Sequence, residues 1–566
     1  MAQLPIIVSA GGINAAGRSA FHSDLMRMVY PSLSATEQSA VIDELRALTS
    51  RPDASAEDLL NDSLIREIHP DWYNPSALNA RRRRDDMWAD TDRNSPVRSA
   101  GMLPTGFHPD ALYKSRAHPR ALQMTVFAAS DMMAASGLDW NELRQRIAPD
   151  QVAVYAGNSI GQLDHQGFGG MLQAALFGKR VSSKQLPLGY PQMPADFVNA
   201  YVLGTLGSTG AVQGACASFL YNLANACHAI KTGQARIAVV GGADAPIVPE
   251  VVEGFRAMGA LADEAGLRAI DGLTPEQTVD WRRASRPFGH NCGFTIAEGA
   301  QFMLLMDDEL VAETGARVLG SVPGLFVNAD GPKRSISAPG AGNYLTMAKA
   351  AGLARTLFGE TDMRRLFVHA HGTSTPQNRV TESHVLSQVA QAMGAHWPVT
   401  AIKAFIGHSQ GTAGGDQMAN ALGSFATGWL PGIQTTAALA DDVHRDGLDF
   451  VMQDRQMEMP PGCFLNAKGF GGNNATALLA GPDVTKAMLG KRHDMTAWAR
   501  RNEAVTEQTE AYRLRSANAE FNVQYHFGED VIDGNDIAIS DQELRVPGWD
   551  RGVDLNVPHP FPDLKL

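Results

Sequence analysis

The chain has 566 residues, 44% of them hydrophobic and 19% charged, with a net charge of −12. That composition fits a globular protein with a large core and more than one structural unit. The acidic balance argues against nucleic acid or an anionic membrane as a general partner.

Residues 4–9, LPIIVS, closed by Gly11 and Gly12, predict a buried first strand and turn. The opening MAQLPIIVSAGG lacks the features of a signal peptide, and no apolar run is long enough to span a bilayer, so a cytoplasmic protein is expected. Residues 30–120 carry the run Arg81–Arg84, scattered aspartates and Pro70, Pro75 and Pro96, and read as an insertion or surface lobe. A helical stretch, ALQMTVFAASDMMAAS, follows, and then the strand QVAVYAG. Further strands are expected at 236–242, 299–306, 366–372, 398–407 and 475–482, with helices at 216–232, 344–358 and 380–393. Alternation of short apolar strands with helices predicts an α/β fold. After Pro482 the composition turns polar, predicting a helix near 494–515 and then an extended tail ending PHPFPDLKL.

The four cysteines form no C-x-x-C pair and none has zinc-site spacing, which suggests a reducing compartment and no metal site. Cys216, in QGACASFLYNLANACHAIKTG, stands at a predicted helix start. Free N–H groups and the helix dipole there lower a thiol's pKa, as a nucleophile requires. A small buried cysteine is the alternative; Cys227, further along the same helix, reads as core.

His371 and His408 each follow a strand and sit beside glycine, where α/β proteins display side chains into a crevice. With Cys216 and Lys403 they make a set able to bind a thioester carbonyl and stabilise an enolate. GFGGNN, 469–474, offers backbone amides for half of an oxyanion hole, or is simply a tight turn.

Two stretches, GNSIG at 157–161 and GHSQG at 407–411, fit the G-x-S-x-G turn of hydrolases. A hydrolase centred on Ser409 would draw on Asp441 and His444. That reading leaves ACAS, HGTST and GFGGNN unexplained.

Taken in order, ACAS at 215–218, HGTST at 371–375, KAFIGH at 403–408 and GFGGNN resemble the β-ketoacyl-ACP synthases, as do RPF at 286–288 and AEGA at 297–300. The resemblance covers roughly residues 4–15 and 120–482. It implies a thiolase-like fold of two similar βα halves in α-β-α-β-α layers, with an insertion in the first half and a C-terminal extension. The implied units are 1–310, 311–483 and 484–566. It implies decarboxylative condensation of an acyl thioester with malonyl-ACP in fatty acid biosynthesis, without a cofactor.

By resemblance Cys216 carries the acyl group, and His371 and His408 hold the malonyl carbonyl. Lys403 orients His371, and Glu298 lies behind the site. The amides of Cys216 and Phe470 form the oxyanion hole, Phe470 gates the pocket, and Thr373 and Thr375 contact pantetheine. The implied partners are acyl carrier protein, malonyl-ACP, an acyl-CoA or acyl-ACP, and a second copy of the chain.

Arg379 stands where the family has Asp, Asn291 and Cys292 replace Arg-Asp, and Asn473 replaces Thr. These departures, the insertion and the tail resemble a long bacterial synthase that starts chains from acetyl-CoA. The Arg81–Arg84 run, Lys333 with Arg334, and Arg364 with Arg365 are weak candidates for docking the acidic carrier protein. Chain-elongating or polyketide-type condensation and a non-catalytic partner role are the alternatives.

Overall fold

The computed structural model describes residues 2–68, 95–336 and 338–557. The Arg81–Arg84 run and the tail PHPFPDLKL lie outside the described residues.

The first five main strands are β1 (Ile6–Asn14), β2 (Val152–Gly157), β3 (Thr209–Gly210), β4 (Ile237–Asp244) and β5 (Gly299–Met306), in the sheet order β3-β2-β4-β5-β1. Then come β6 (Gly320–Ala329), β7 (Phe367–His369), β8 (Trp397–Thr400), β9 (Leu448–Phe450), β10 (Gly462–Gly469) and β11 (Asn473–Ala480). Their order is β9-β8-β7-β10-β11-β6, so the first pattern recurs with β9 added at the edge. Orientations recur as well. β2 runs parallel to β3 and β4, and β7 runs parallel to β8 and β10. β4, β5 and β1 alternate in direction, and so do β10, β11 and β6. The two sets meet where β1 pairs antiparallel with β6, Ile6 opposite Ser321.

Helices α1 (Ala35–Leu48), α2 (Arg120–Ala135), α3 (Ser218–Lys231), α4 (Gly342–Met363), α5 (Pro376–Ala392), α6 (Ala413–Thr427) and α7 (Met495–Ser516) complete the frame. α3 and α6 form a middle layer: Phe219, Leu223, Met418 and Leu422 share one cluster with Val240 and Leu305 of the first set and Leu465 and Ala477 of the second. α2 covers the outer face of the first set, and α4 and α5 that of the second. The result is a five-layered α-β-α-β-α fold. α2 is apolar nearly all round, as a helix buried on every side must be.

The expected strand at 366–372 ends at His369, which releases His371 into a loop. The expected strand at 398–407 ends at Thr400, and Lys403–Ile406 is a helical turn. Gly407, at φ +75°, turns the chain after it. β6 and β10 are strands the sequence pattern did not reveal.

The described parts of the insertion pack onto the body of the fold. Ser34 and Glu37 close a capping box on α1, and Val41, Ile42 and Leu45 pack with Leu25 and Leu59. Its strand Ser99–Gly101 pairs with Ile296–Ala297, behind His408.

The extension packs α7 onto α2 through a buried charge cluster. Arg18 bonds Asp131 through Nε at 2.9 Å and Nη2 at 2.6 Å. Tyr512 donates to Asp131 at 2.9 Å, and Ser516 accepts from Arg18 at 2.7 Å. Beyond α7, residues expected as a plain extended tail form a small antiparallel sheet at Ala538–Ile539, Glu543–Arg545 and Val553–Asp554.

Removing one member of a buried ion pair strands the other charge. Asp131→Ala is therefore expected to cost about 3–5 kcal/mol, and Tyr512→Phe about 1 kcal/mol for one lost hydrogen bond. Chemical denaturation checks both; equal small effects would mean that the cluster is not structural.

Candidate active site

A 3-10 turn, Ala215–Ala217, carries Cys216 into α3. Ala215 sits at φ +49°, a strained value for a residue with a Cβ. Ser218 fixes the turn: its hydroxyl donates to the Ala215 carbonyl and accepts from the Gly214 amide. On the other side, a Cβ at Gly469 would run into the Gly214 carbonyl oxygen. Only glycine lets the GFGGNN loop come this near, and so the Phe470 amide reaches the Cys216 sulfur.

The expected lowering of the Cys216 pKa is not what the surroundings produce. Burial pushes the thiol up to about 11, against the Lys403 charge and the amides of Phe470 and Cys216, which favour thiolate. Desolvation outweighs the helix start. Alkylation of Cys216 by iodoacetamide is therefore expected to rise about tenfold per pH unit from pH 6, and to level off near pH 8, where Lys403, lowered to about 8 by burial, loses its charge. Rapid-quench mass spectrometry checks this; a flat profile would mean that the thiolate already dominates at pH 6.

His371 is held through its backbone. Its amide and that of Gly372 donate to the two oxygens of Glu382, at 2.7 and 2.8 Å. Asn378 and Asn466 also donate to Glu382, at 2.9 and 2.7 Å. Lys403 Nζ donates to the His371 carbonyl at 2.6 Å.

His408 is pinned to the strand-like segment behind it: its amide donates to Thr295 O at 2.7 Å, and its carbonyl accepts from Ala297 N at 3.0 Å. The two imidazoles stand edge to face, centroids 5.4 Å apart. Burial and the Lys403 charge hold both well below the usual histidine pKa, so both are neutral at pH 7. Among the described residues, their buried Nδ1 atoms have no hydrogen-bond partner. Thr373 and Thr375 follow His371, their hydroxyls 3.3 Å apart.

Cys216, Lys403, His371, His408 and the Phe470 amide are thus brought together. The Phe470 ring is 48% exposed, at the surface. Glu298 is not part of this set. It accepts from Arg120 and from the Leu103 amide, facing a separate cavity of about 1150 Å³. The buried carboxylate behind His371 is Glu382, which the sequence reading passed over. Its signal was its place in the first turns of α5, just after HGTST.

Both hydrolase elbows dissolve. Ser409 is buried and donates to Asp416, which also accepts from Asn14 and Gln301. His444 instead packs on the His384 ring, 4.6 Å away. Ser159 donates to Asp244.

The departures from the family pattern meet one another. Arg379 bonds Asp442 at 2.8 and 2.9 Å and reaches Asn291 Oδ1 at 3.1 Å. An arginine at 291 would repel it, so the two changes compensate. Asn473 donates to the Phe470 carbonyl at 2.9 Å and accepts from Tyr221, steadying the loop.

A duplicated, five-layered fold with a cysteine facing two neutral histidines across a lysine defines a thiolase-like condensing enzyme. The chain belongs to the β-ketoacyl synthase family: the N-terminal domain model of that family matches residues 49–310 and the C-terminal domain model residues 319–436. It is 43% identical to the β-ketoacyl-[acyl-carrier-protein] synthase FabY of Pseudomonas aeruginosa, over 97% of each chain. It is 28% identical to the actinorhodin polyketide putative β-ketoacyl synthase 1 of Streptomyces coelicolor, over 65% of this chain and 75% of that one. The crystal structure of the FabY ketosynthase from P. aeruginosa superposes with a TM-score of 0.93 at 42% identity, covering 100% of this chain and 99% of that one. The protein is thus a β-ketoacyl-ACP synthase, an acyltransferase of fatty acid biosynthesis. No helix among the described residues is long and apolar enough to cross a membrane.

Proposed function

We propose that the protein performs the initiating condensation, joining an acetyl group from acetyl-CoA to malonyl-ACP. The observation that carries the chemistry is the convergence of the Cys216 sulfur, the Phe470 amide and the neutral His371–His408 pair. The Cys216 thiolate attacks the acetyl carbonyl, the amides of Cys216 and Phe470 hold the oxyanion, and CoA leaves as its thiolate, which takes a proton from solvent. Malonyl-ACP then places its thioester oxygen between His371 and His408. The bond to the carboxylate breaks, carbon dioxide leaves, and its electron pair forms an enolate. The enolate carbon attacks the acetyl-cysteine, and the Cys216 thiolate departs. Lys403 keeps both histidines neutral and positions His371 through its carbonyl. Thr373 and Thr375 receive the pantetheine arm, and Phe470 gates its entry.

A short acyl group is favoured by aromatic filling beside the pair. Phe294 stands edge-on to His408 at 5.2 Å and packs on Phe255 at 5.3 Å. The reading divides the chain into two thiolase-like halves, 1–310 and 311–483, and an extension, 484–566. It assigns acyl carrier protein as partner and the cytoplasm as location. A homodimer fits the end strand β3, which is flanked by the exposed apolar residues Leu206 and Val212. Arg334, exposed, remains a candidate carrier contact, whereas Lys333 lies 3.6 Å from Asp330 and Arg364 and Arg365 each lie 3.4 Å from an acid of α4.

Intact-protein mass spectrometry with peptide mapping tests the reading. Acetyl-CoA is expected to leave an acetyl group on Cys216. Adducts only from longer acyl-ACPs would make this an elongation enzyme.

A further inference from the structure

We propose that the Lys468 ammonium binds the carboxylate of the malonyl group beside His371, and so selects malonyl over uncharged thioesters in the second half-reaction. This rests on the decarboxylative reading above and adds to it the residue that recognises the second substrate.

Lys468 occupies β10, directly before the Gly469–Phe470 loop that meets Cys216. Side chains two apart on a strand share a face. Lys468 therefore lies on the same side as Asn466, which reaches Glu382 under His371. Among the described residues its one hydrogen bond is to Thr381 Oγ1, at 3.5 Å, the weak limit of such a contact. It forms no ion pair there. Glu382 and Asp330 act on it only at longer range, and the neighbouring Lys333 repels it. Its charge bears on the His371 imidazole. The other lysine of the site, Lys403, is tied to the His371 carbonyl.

A partly buried ammonium without a carboxylate partner is costly, and a substrate carboxylate would offset that cost. The need is specific. Both substrates arrive as thioesters, and the malonyl carboxylate is what distinguishes the second. The charge it brings passes to the enolate oxygen between His371 and His408 as carbon dioxide leaves. Lys468 therefore acts in binding, and its removal reads in KM more than in kcat.

The test separates the half-reactions. In Lys468→Met, acetylation of Cys216 by acetyl-CoA is expected to match wild type. KM for malonyl-ACP is expected to rise at least about tenfold, the scale of one hydrogen bond to a charged group, with kcat retained. Lys468→Arg is expected to recover most of the loss. An unchanged KM in Lys468→Met would overturn the proposal, as would a parallel fall in acetylation, which marks a structural disturbance. Absence of any adduct on wild-type Cys216 would remove the underlying reading, and this one with it.

Discussion

Cys216→Ala is expected to abolish the acetyl adduct and to lower condensation at least about 10⁴-fold, the scale on which enzymes lose activity with their nucleophile. The reaction needs a sulfur that accepts an acyl group and later leaves from it; a methyl group does neither. No other thiol can stand in. Cys227 is buried on the core face of α3, and Cys463 is fully buried in β10. Cys292 packs against the cluster of Ala262, Leu267 and Trp281, not against Lys403 and the two histidines. Peptide mapping after acetyl-CoA treatment shows the loss directly. Condensation above about one part in a hundred of wild type would mean that a direct, non-covalent route carries the reaction. Folding is not at stake: losing one half-buried sulfur at the helix start removes little packing.

What the sequence announced was local chemistry. A cysteine after a glycine-rich turn, histidines after short apolar strands and a glycine loop carry their signal in adjacent residues. The alternation of apolar runs likewise announced the α/β class. What stayed hidden depends on distance. Nothing near Asp131 foretells that Tyr512, far along the chain, will donate to it. β6 and β10 carry Gly, Pro, Asn and Lys among their apolar residues and break the pattern of a buried strand. The stretch 398–407 shows the reverse. It is apolar because it is buried on all sides, and burial alone does not distinguish a strand from the helical turn Lys403–Ile406.

Glu298 and Glu382 show the limit most clearly. Both are buried glutamates close to recognisable motifs. Glu298 found Arg120, whereas Glu382 found the amides of the His371 loop. A motif tells which residue types are present. Which donors they meet is decided by how the strands are ordered. The Cys216 pKa fails for a related reason: a helix start argues for lowering it, but the desolvation that raises it comes from layers packed around the turn.

His371→Ala and His408→Ala are each expected to lower malonyl decarboxylation about 10²–10³-fold, the cost of one oxyanion donor, while leaving the acetyl adduct on Cys216 in place. Two rings share one thioester oxygen, so the double variant is expected to fall well short of the product of the single effects. The protonation state sets the pH profile. Both pKa values are held well below 6.5, because burial and the Lys403 charge disfavour imidazolium. Each neutral ring keeps a single N–H to offer, and its supply does not change between pH 6 and 8. Decarboxylation is therefore expected to be flat over that range. Were imidazolium the donor, the rate would fall as pH rises through 6.5. Above pH 8 a decline is expected for a different cause, since Lys403, at about 8, loses the charge that steadies the enolate. Carbon dioxide release from malonyl-ACP between pH 6 and 9 distinguishes the two. At saturating malonyl-ACP, Lys403→Met should remove the upper decline and leave a lower, level profile, because Lys403 is the lysine whose charge bears on both rings.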